Sequence, residues 1–169
     1  MLEDTLKEGE WIVHKQYGIG QIRGVEEKKI GGKARSYFRV RITGGVYWLP
    51  TKKVPDYVRF VASKYKLYKT LRAIKEKPVE LPKNYKQRNN LVAERSAEAT
   101  LQATGELIRD LHGRKREQGG ISSIVDERQL TNFRQQFIRE MAVILDIDTE
   151  DAEAKLDKAL AESQSKANE

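Results

Sequence analysis

The sequence contains no cysteine, only two histidines and no long apolar run. Without cysteine there can be no disulfide, thiol nucleophile or thiolate metal site. His14 and His112 are far apart along the chain, so neither has an evident partner for a catalytic triad or a metal cluster. The apolar runs fall well short of the ~20 residues that span a bilayer. We therefore expect a cytoplasmic protein that is not an enzyme and needs no cofactor or metal.

Positive charge is present but unevenly distributed along the 169 residues, whose net charge is +7. Residues 1–80 contain 18 Lys and Arg against 9 Asp and Glu, and residues 81–119 contain 8 against 5. Residues 120–169 reverse the balance, with 6 against 11. Such asymmetry indicates an anionic partner, most often nucleic acid, although a solvated lysine-rich surface is the other common reason for it.

Glycine turns separate short β-like runs in the first 60 residues. The runs are Trp11–His14, Ile19–Ile22, Tyr37–Ile42 and Val46–Leu49, and glycine pairs at 31–32 and 44–45 lie between them. Alternating apolar residues joined by glycine turns predict antiparallel hairpins. A fifth run at 57–62 could close a small barrel. We predict a bent β-sheet, or Tudor-like barrel, as a first domain over residues 1–62.

Residues 63–162 have helical periodicity and predict a second domain. Ser63 is a plausible N-cap of a short helix, and Pro78 and Pro82 bracket an extended piece, so residues 63–82 are interpreted as a connector. Ser123 is predicted to cap the longest helix. The apolar stripes require mutual burial in a compact all-α bundle. The fold class is therefore α+β in two domains, with residues 163–169 as a flexible tail.

Two glycine-rich stretches are superficially similar to nucleotide-binding loops. In residues 18–24 the third glycine comes one residue late, and a strand rather than a helix is predicted to follow. At Gly31-Gly32-Lys33 an alanine replaces the Ser or Thr that a phosphate-binding loop requires. Neither stretch predicts a nucleotide site.

The order of the N-terminal motifs resembles one protein family. The pattern Gly9-x-Trp-Ile-Val-His-x-x-Tyr-Gly-Ile-Gly-x-Ile-x-Gly is followed by Ile30-Gly31-Gly32, Tyr37-Phe38 and Tyr47-Trp48-Leu49-Pro50. Together they resemble the RNA-polymerase-interacting domain shared by the CarD/CdnL transcription regulators and transcription-repair coupling factor. Residues 81–88, 106–119 and 133–152 resemble the helical domain of CarD-like proteins, and the motor motifs of coupling factor are absent from the sequence. The resemblance extends from about Gly9 to about Ala161.

This resemblance implies partners and a mechanism. The first domain would bind the RNA polymerase β subunit, and the helical domain would contact the upstream edge of the promoter bubble. A family tryptophan there wedges into the minor groove and slows bubble collapse. Tyr85 occupies that position here and should be a weaker wedge, since its ring is smaller and carries a hydroxyl group. The implied partners are polymerase and promoter DNA, contacted in the minor groove and at phosphates with little sequence specificity by a monomer.

Two sets of candidate residues follow. Lys28 aligns with a basic family contact, whereas Trp48 stands where the family often has arginine and could equally be buried in the core. Strand alternation places Tyr47 on the face opposite Val46 and Trp48. The candidate polymerase-binding residues are Lys28, Arg39, Arg41, Val46, Tyr47 and Trp48. The candidate DNA-binding residues are Lys83, Tyr85, Lys86, Arg88, Arg95, Arg109, Arg114 and Arg116.

A second interpretation belongs to a different class of protein. The chain could be a basic, Tudor-like adaptor that recruits another protein to polymerase or DNA, with Tyr85 purely structural. Only the first interpretation predicts that promoter open-complex lifetime depends on Tyr85.

Overall fold

The computed structural model describes residues 6–120 and 122–169. The chain divides into two compact units, one ending at Val61 and the other spanning Ala62–Glu169. The first unit is a β-sheet and the second is helical, which confirms the predicted α+β class. The predicted first domain also includes residues 1–5, which lie outside the described residues. The described helices do not combine the length and apolarity that a membrane span needs.

The N-terminal unit is a five-stranded antiparallel sheet. Its strands are β1 (Trp11–His14), β2 (Gly18–Ile30), β3 (Lys33–Ile42), β4 (Gly45–Pro50) and β5 (Val58–Phe60), in the order β4-β3-β2-β1-β5. The predicted glycine turn between β2 and β3 is present, and Gly31 and Gly32 have φ of 63° and 82°. Glycine occupies this left-handed region at low cost, so the pair permits the tight turn.

The sheet is strongly curved but remains open. The register of β2 against β3 shifts between Ile22 and Gly24, a bulge that increases local twist. Leu49 of β4 and Val58 of β5 pack in the same buried cluster as Ile12, although their strands are the two edges of the sheet. Edge side chains therefore meet across the concave side, while the described edge strands do not pair. The predicted closure into a barrel by the fifth strand is thus replaced by side-chain packing.

The helical unit has five helices around one apolar core. They are α1 (Lys64–Ile74), α2 (Tyr85–Ser96), α3 (Leu101–Glu117), α4 (Ile124–Leu145) and α5 (Thr149–Ala167). The two predicted N-caps are present: the Ser63 hydroxyl accepts the Lys66 N–H at 3.1 Å, and the Ser123 hydroxyl accepts the Asp126 N–H at 3.1 Å. Each cap satisfies a backbone donor that the first helical turn leaves free.

One segment confirms the sequence interpretation and another differs from it. The short helix predicted after Ser63 is α1, whose Leu67 and Ile74 are fully buried in the helical core. It packs closely on α3, because a Cβ on Gly105 would lie 2.7 Å from the Thr70 methyl carbon. Most of the predicted flexible tail is the end of α5. There the Ser163 hydroxyl is buried and donates to the Glu76 carbonyl at 2.6 Å, which ties the helix end to the chain after α1.

Candidate interaction surfaces

One face of the β unit presents charged and aromatic side chains from three neighbouring strands. The register pairs Arg39 with Trp48 and Arg41 with Val46 across β3 and β4. Residues that are paired across strands lie on the same side of a sheet. We name this surface the outer β face, made of Glu26, Lys28, Arg39, Arg41, Val46 and Trp48. It contains every predicted polymerase-binding residue except Tyr47.

Trp48 is held in place on the outer β face although it is 40% exposed. Its indole N–H donates to the Glu26 carboxylate at 2.9 Å, and the Lys28 ammonium lies 3.2 Å from the ring centroid. Glu26 also pairs with Arg39 at 3.4 Å. The ring is thus exposed but already oriented, which lowers the entropy that a partner must remove on binding. Core burial of Trp48, the alternative left open by the sequence, is not what the structure shows.

Tyr47 lies on the face opposite Val46 and Trp48, as strand alternation predicts, and the structure shows that this is the concave side. Its ring centroid is 5.1 Å from that of His14 and 5.2 Å from that of Tyr17, while Tyr57 packs on His14 at 4.8 Å. We name these four residues the aromatic cluster. Burial, together with Tyr57 and Tyr17, raises the pKa of Tyr47 far above its usual range. Tyr47 therefore serves the packing of the sheet, and we remove it from the candidate polymerase-binding set.

His14 at the centre of this cluster is a structural acceptor. Its Nδ1 accepts backbone N–H groups from Gln16 at 3.0 Å and Tyr17 at 3.2 Å, which fastens the turn between β1 and β2. Burial lowers the pKa of His14 below its ordinary value. A proton on Nδ1 would face two donors and break both hydrogen bonds. His14 therefore has a structural role in this turn of the β unit.

The stability of the N-terminal unit is expected to fall as the pH is lowered. The unfolded state binds a proton on His14 near pH 6.5, whereas the folded state binds it only at lower pH, so stability is lost as pH falls through about 6.5 toward the folded-state pKa. Tryptophan fluorescence during urea unfolding measures this unit, because both tryptophans, Trp11 and Trp48, lie in it. The urea midpoint should decrease between about pH 7.5 and pH 5.

The variant His14→Asn should flatten this pH dependence, and His112→Asn in the other unit should leave it unchanged. An equally steep pH dependence in His14→Asn would show that another group is responsible.

Tyr85 is displayed at the start of α2. It is the first residue of the helix and is 61% exposed, with Lys83 and Lys86 also exposed beside it in sequence. Asn84 caps the helix by accepting the Gln87 N–H at 3.1 Å. An aromatic ring between two cations, at the positive end of a helix dipole, suits contact with a nucleic acid.

Arg88 is buried beneath this surface and does not belong to it. It is 4% exposed, pairs with Asp126 at 3.1 Å, and donates to the carbonyls of Pro82 at 3.0 Å and Lys83 at 2.9 Å. Arg114 also approaches Asp126, at 3.5 Å. We name Arg88, Arg114 and Asp126 the buried ion cluster. Its effect is to fix the backbone immediately before Tyr85, and Arg88 is removed from the candidate DNA-binding set.

The other predicted arginines divide into paired and exposed ones. Arg109 is buried, pairs with Asp110 at 2.8 Å and donates to the Ala73 carbonyl at 2.9 Å, so its role is structural. Arg95 is half-buried and pairs with Glu106 at 2.6 Å. Arg116 is exposed near the end of α3. The residues still available to DNA are therefore Lys83, Tyr85, Lys86 and Arg116.

Two important carboxylates were missed by sequence reasoning. Neither Glu26 nor Asp126 is among the predicted site residues. Both are charge partners across the fold, of Trp48 and Arg39 in one case and of Arg88 and Arg114 in the other. Their spacing from these partners, 38 residues between Arg88 and Asp126, leaves no local pattern that could have identified them.

These features define a two-unit binding protein, with an oriented aromatic–cationic face on a β unit and an exposed aromatic–basic helix start on a helical unit. Among the described residues there is no group of three or more metal-ligating side chains that could hold an ion.

Comparison with known proteins gives the family. The model of the CarD-like/TRCF RID domain matches residues 6–62, and that of the CarD C-terminal domain matches residues 67–157. The chain belongs to the CarD-like family, whose members are transcription regulators that interact with RNA polymerase. It is also similar to the transcription-repair-coupling factor of Rickettsia prowazekii (strain Madrid E), with 46% identity over 41 residues. That match covers 24% of this chain and 4% of the relative's length.

Proposed function

We propose that this protein binds the RNA polymerase β subunit through its outer β face and stabilises the promoter open complex by placing Tyr85 at the upstream edge of the transcription bubble. It would act in the cytoplasm, on the nucleoid, as a monomer bound to polymerase and with no chemistry of its own. The observation that carries the proposal is the exposed Tyr85, held at a helix start by a buried ion cluster, in a member of a polymerase-interacting family.

The outer β face supports the docking step. Tryptophan and arginine are common energetic anchors of protein interfaces, and here Trp48, Arg39 and Arg41 lie together. The hydrogen bond from Trp48 to Glu26 orients the ring before any partner arrives. β4 is also an edge strand, so its free side is available to a strand of the partner through main-chain hydrogen bonds.

Replacing Trp48 by alanine is expected to weaken binding to RNA polymerase by about 30-fold, equivalent to about 2 kcal/mol for an interface anchor. Removal of the indole deletes the contact area, the hydrogen bond to Glu26 and the contact with the Lys28 ammonium, while Glu26 keeps its ion pair with Arg39. The dissociation constant of the full chain for polymerase and for the isolated β subunit measures the effect.

The matched control is Val25→Ala, since Val25 is exposed on β2 but points to the opposite side from Glu26 and Lys28. Val25→Ala should bind polymerase like the wild type. If Trp48→Ala also binds like the wild type, the outer β face is not the docking surface.

The start of α2 supports the bubble step. An aromatic ring can insert at an unstacked base step, while nearby cations meet the flanking phosphates. Arg88 donates hydrogen bonds to the carbonyls of Pro82 and Lys83, so the backbone that carries Tyr85 is held in place. The test is the lifetime of open complexes with and without the chain. The adaptor interpretation predicts polymerase binding with no effect of Tyr85 on that lifetime.

A further inference from the structure

Helix α1 presents a second basic and aromatic surface that the proposed function does not use. Its eleven residues include four cations, Lys64, Lys66, Lys69 and Arg72, and no acidic residue. Tyr65 and Tyr68 are 71% and 49% exposed, and Lys69 and Arg72 are exposed as well. We name Tyr65, Tyr68, Lys69 and Arg72 the α1 stripe.

The spacing of the α1 stripe places its members together on one side of the helix. Positions separated by three, four and seven residues lie on the same helical face. The buried residues Leu67, Thr70 and Ile74 occupy the opposite side and face the helical core. The stripe therefore spans about 10 Å along the helix axis, the rise of seven residues, and points away from the core of its own unit.

The cations of the stripe are not neutralised within their own unit. In the part of the chain that the structure describes, none of the ion pairs involves Lys69 or Arg72, whereas the next cation, Lys75, pairs with Glu162 at 3.7 Å. Glu76, the acidic residue next along this side, pairs with Lys166 at 3.1 Å. The carboxylates nearest in sequence are thus taken by other cations, and the stripe retains a positive charge.

The chemistry of the stripe fits a phosphate backbone. Lysine, arginine and tyrosine side chains are all used to contact DNA phosphates, and such contacts position a protein without reading sequence. Protein interfaces are also enriched in tyrosine and arginine, although depleted in lysine, so the argument for a phosphate backbone rests on the unbalanced positive charge of the stripe. The stripe offers four hydrogen-bond donors along ~10 Å of helix, with no carboxylate among them. This arrangement suits the row of phosphates along one DNA strand better than a protein surface of mixed charge.

We propose that the α1 stripe binds the phosphate backbone of fully paired duplex DNA, at a site separate from Tyr85. This contact needs no melted bases. It would hold the helical unit on the duplex whether or not a bubble is present, so it does not depend on the wedge step.

The test is the binding of the full chain to a fluorescently labelled, fully paired duplex over a range of salt concentrations. The variant is Lys69→Gln with Arg72→Gln. The matched control is Lys155→Gln with Lys158→Gln, which removes the same charge from two exposed cations, also three residues apart, on α5. Far-UV circular dichroism confirms that both variants are folded.

Loss of two phosphate contacts should reduce the slope of log affinity against log salt by about 1.8. The affinity ratio between wild type and variant should consequently grow about tenfold as salt falls from about 200 to about 50 mM. The α5 control should keep the wild-type slope. Tyr65→Phe with Tyr68→Phe should weaken binding with little change in slope, because it removes two neutral donors.

An unchanged slope in the α1 variant, or an equal change in the α5 control, would overturn the inference. It would also be overturned if the α1 variant bound duplex normally but lost affinity for polymerase, since the stripe would then be a protein contact. Tyr85→Ala should not alter duplex binding. The duplex-binding experiment therefore tests the α1 stripe, and the open-complex lifetime separately tests the proposed role of Tyr85.

Discussion

Replacing Asp126 by alanine is expected to lower the free energy of unfolding of the helical unit by about 3–5 kcal/mol, the usual cost of removing one partner from a buried ion pair. Asp126 is buried and faces two guanidinium groups, those of Arg88 at 3.1 Å and Arg114 at 3.5 Å. Alanine would remove the carboxylate that pairs with the buried Arg88 and that also lies near the partly buried Arg114. Urea unfolding followed by far-UV circular dichroism measures the loss, since the helices dominate that signal.

The control is the next residue. Glu127 is also acidic and also paired, with Lys115 at 2.9 Å, but its side chain is exposed, so Glu127→Ala should cost far less. Equal losses in the two variants would contradict the role given to the buried ion cluster. Asp126→Asn keeps the shape of the side chain and removes its charge. Its free energy of unfolding should lie between those of the wild type and Asp126→Ala.

The consequence of this cluster extends to Tyr85. Arg88 donates to Asp126 and to the two carbonyls that precede α2. A chain that loses Asp126 should therefore also hold Tyr85 less firmly, and part of the stability loss should appear as weaker action on the promoter. On this proposal, the Arg88 guanidinium group would link the stability of the helical unit to the action of Tyr85 on the promoter.

Local sequence signals predicted much of the fold. Glycine pairs and alternating apolar residues identified the hairpins, and Ser63 and Ser123 were correctly chosen as N-caps. These features depend on residues within a few positions of each other, where backbone geometry alone decides the outcome. Strand alternation also placed Tyr47 on the face opposite Val46 and Trp48, but it did not show which of the two faces is the concave one.

Features that depend on distant partners could not be predicted. Arg88 and Arg109 belong to basic stretches of sequence, yet both are buried because Asp126 and Asp110 neutralise them. A basic residue in a helix is usually solvated, and only the packed structure shows which basic residues are buried. The role of Ser163 has the same origin, since its partner is a carbonyl 87 residues away.

Tyr85→Ala is expected to remove most of the effect of this protein on open-complex lifetime. Stacking of one base on an aromatic side chain contributes about 1–3 kcal/mol, so its loss should shorten the stabilised lifetime about fivefold or more. Tyr85→Trp should keep or increase the effect, because the indole offers a larger stacking face. The dissociation rate of competitor-challenged promoter complexes measures the lifetime.

The most direct test compares wild type, Tyr85→Ala and a control, Val79→Ala, at polymerase-saturating concentration on the same promoter. Val79 is 60% exposed, close to the value for Tyr85, and its side chain lies outside α2. We predict that wild type and Val79→Ala prolong the open complex equally and that Tyr85→Ala returns the lifetime close to that of polymerase alone. Equal lifetimes with wild type and Tyr85→Ala, both bound to polymerase, would contradict the account.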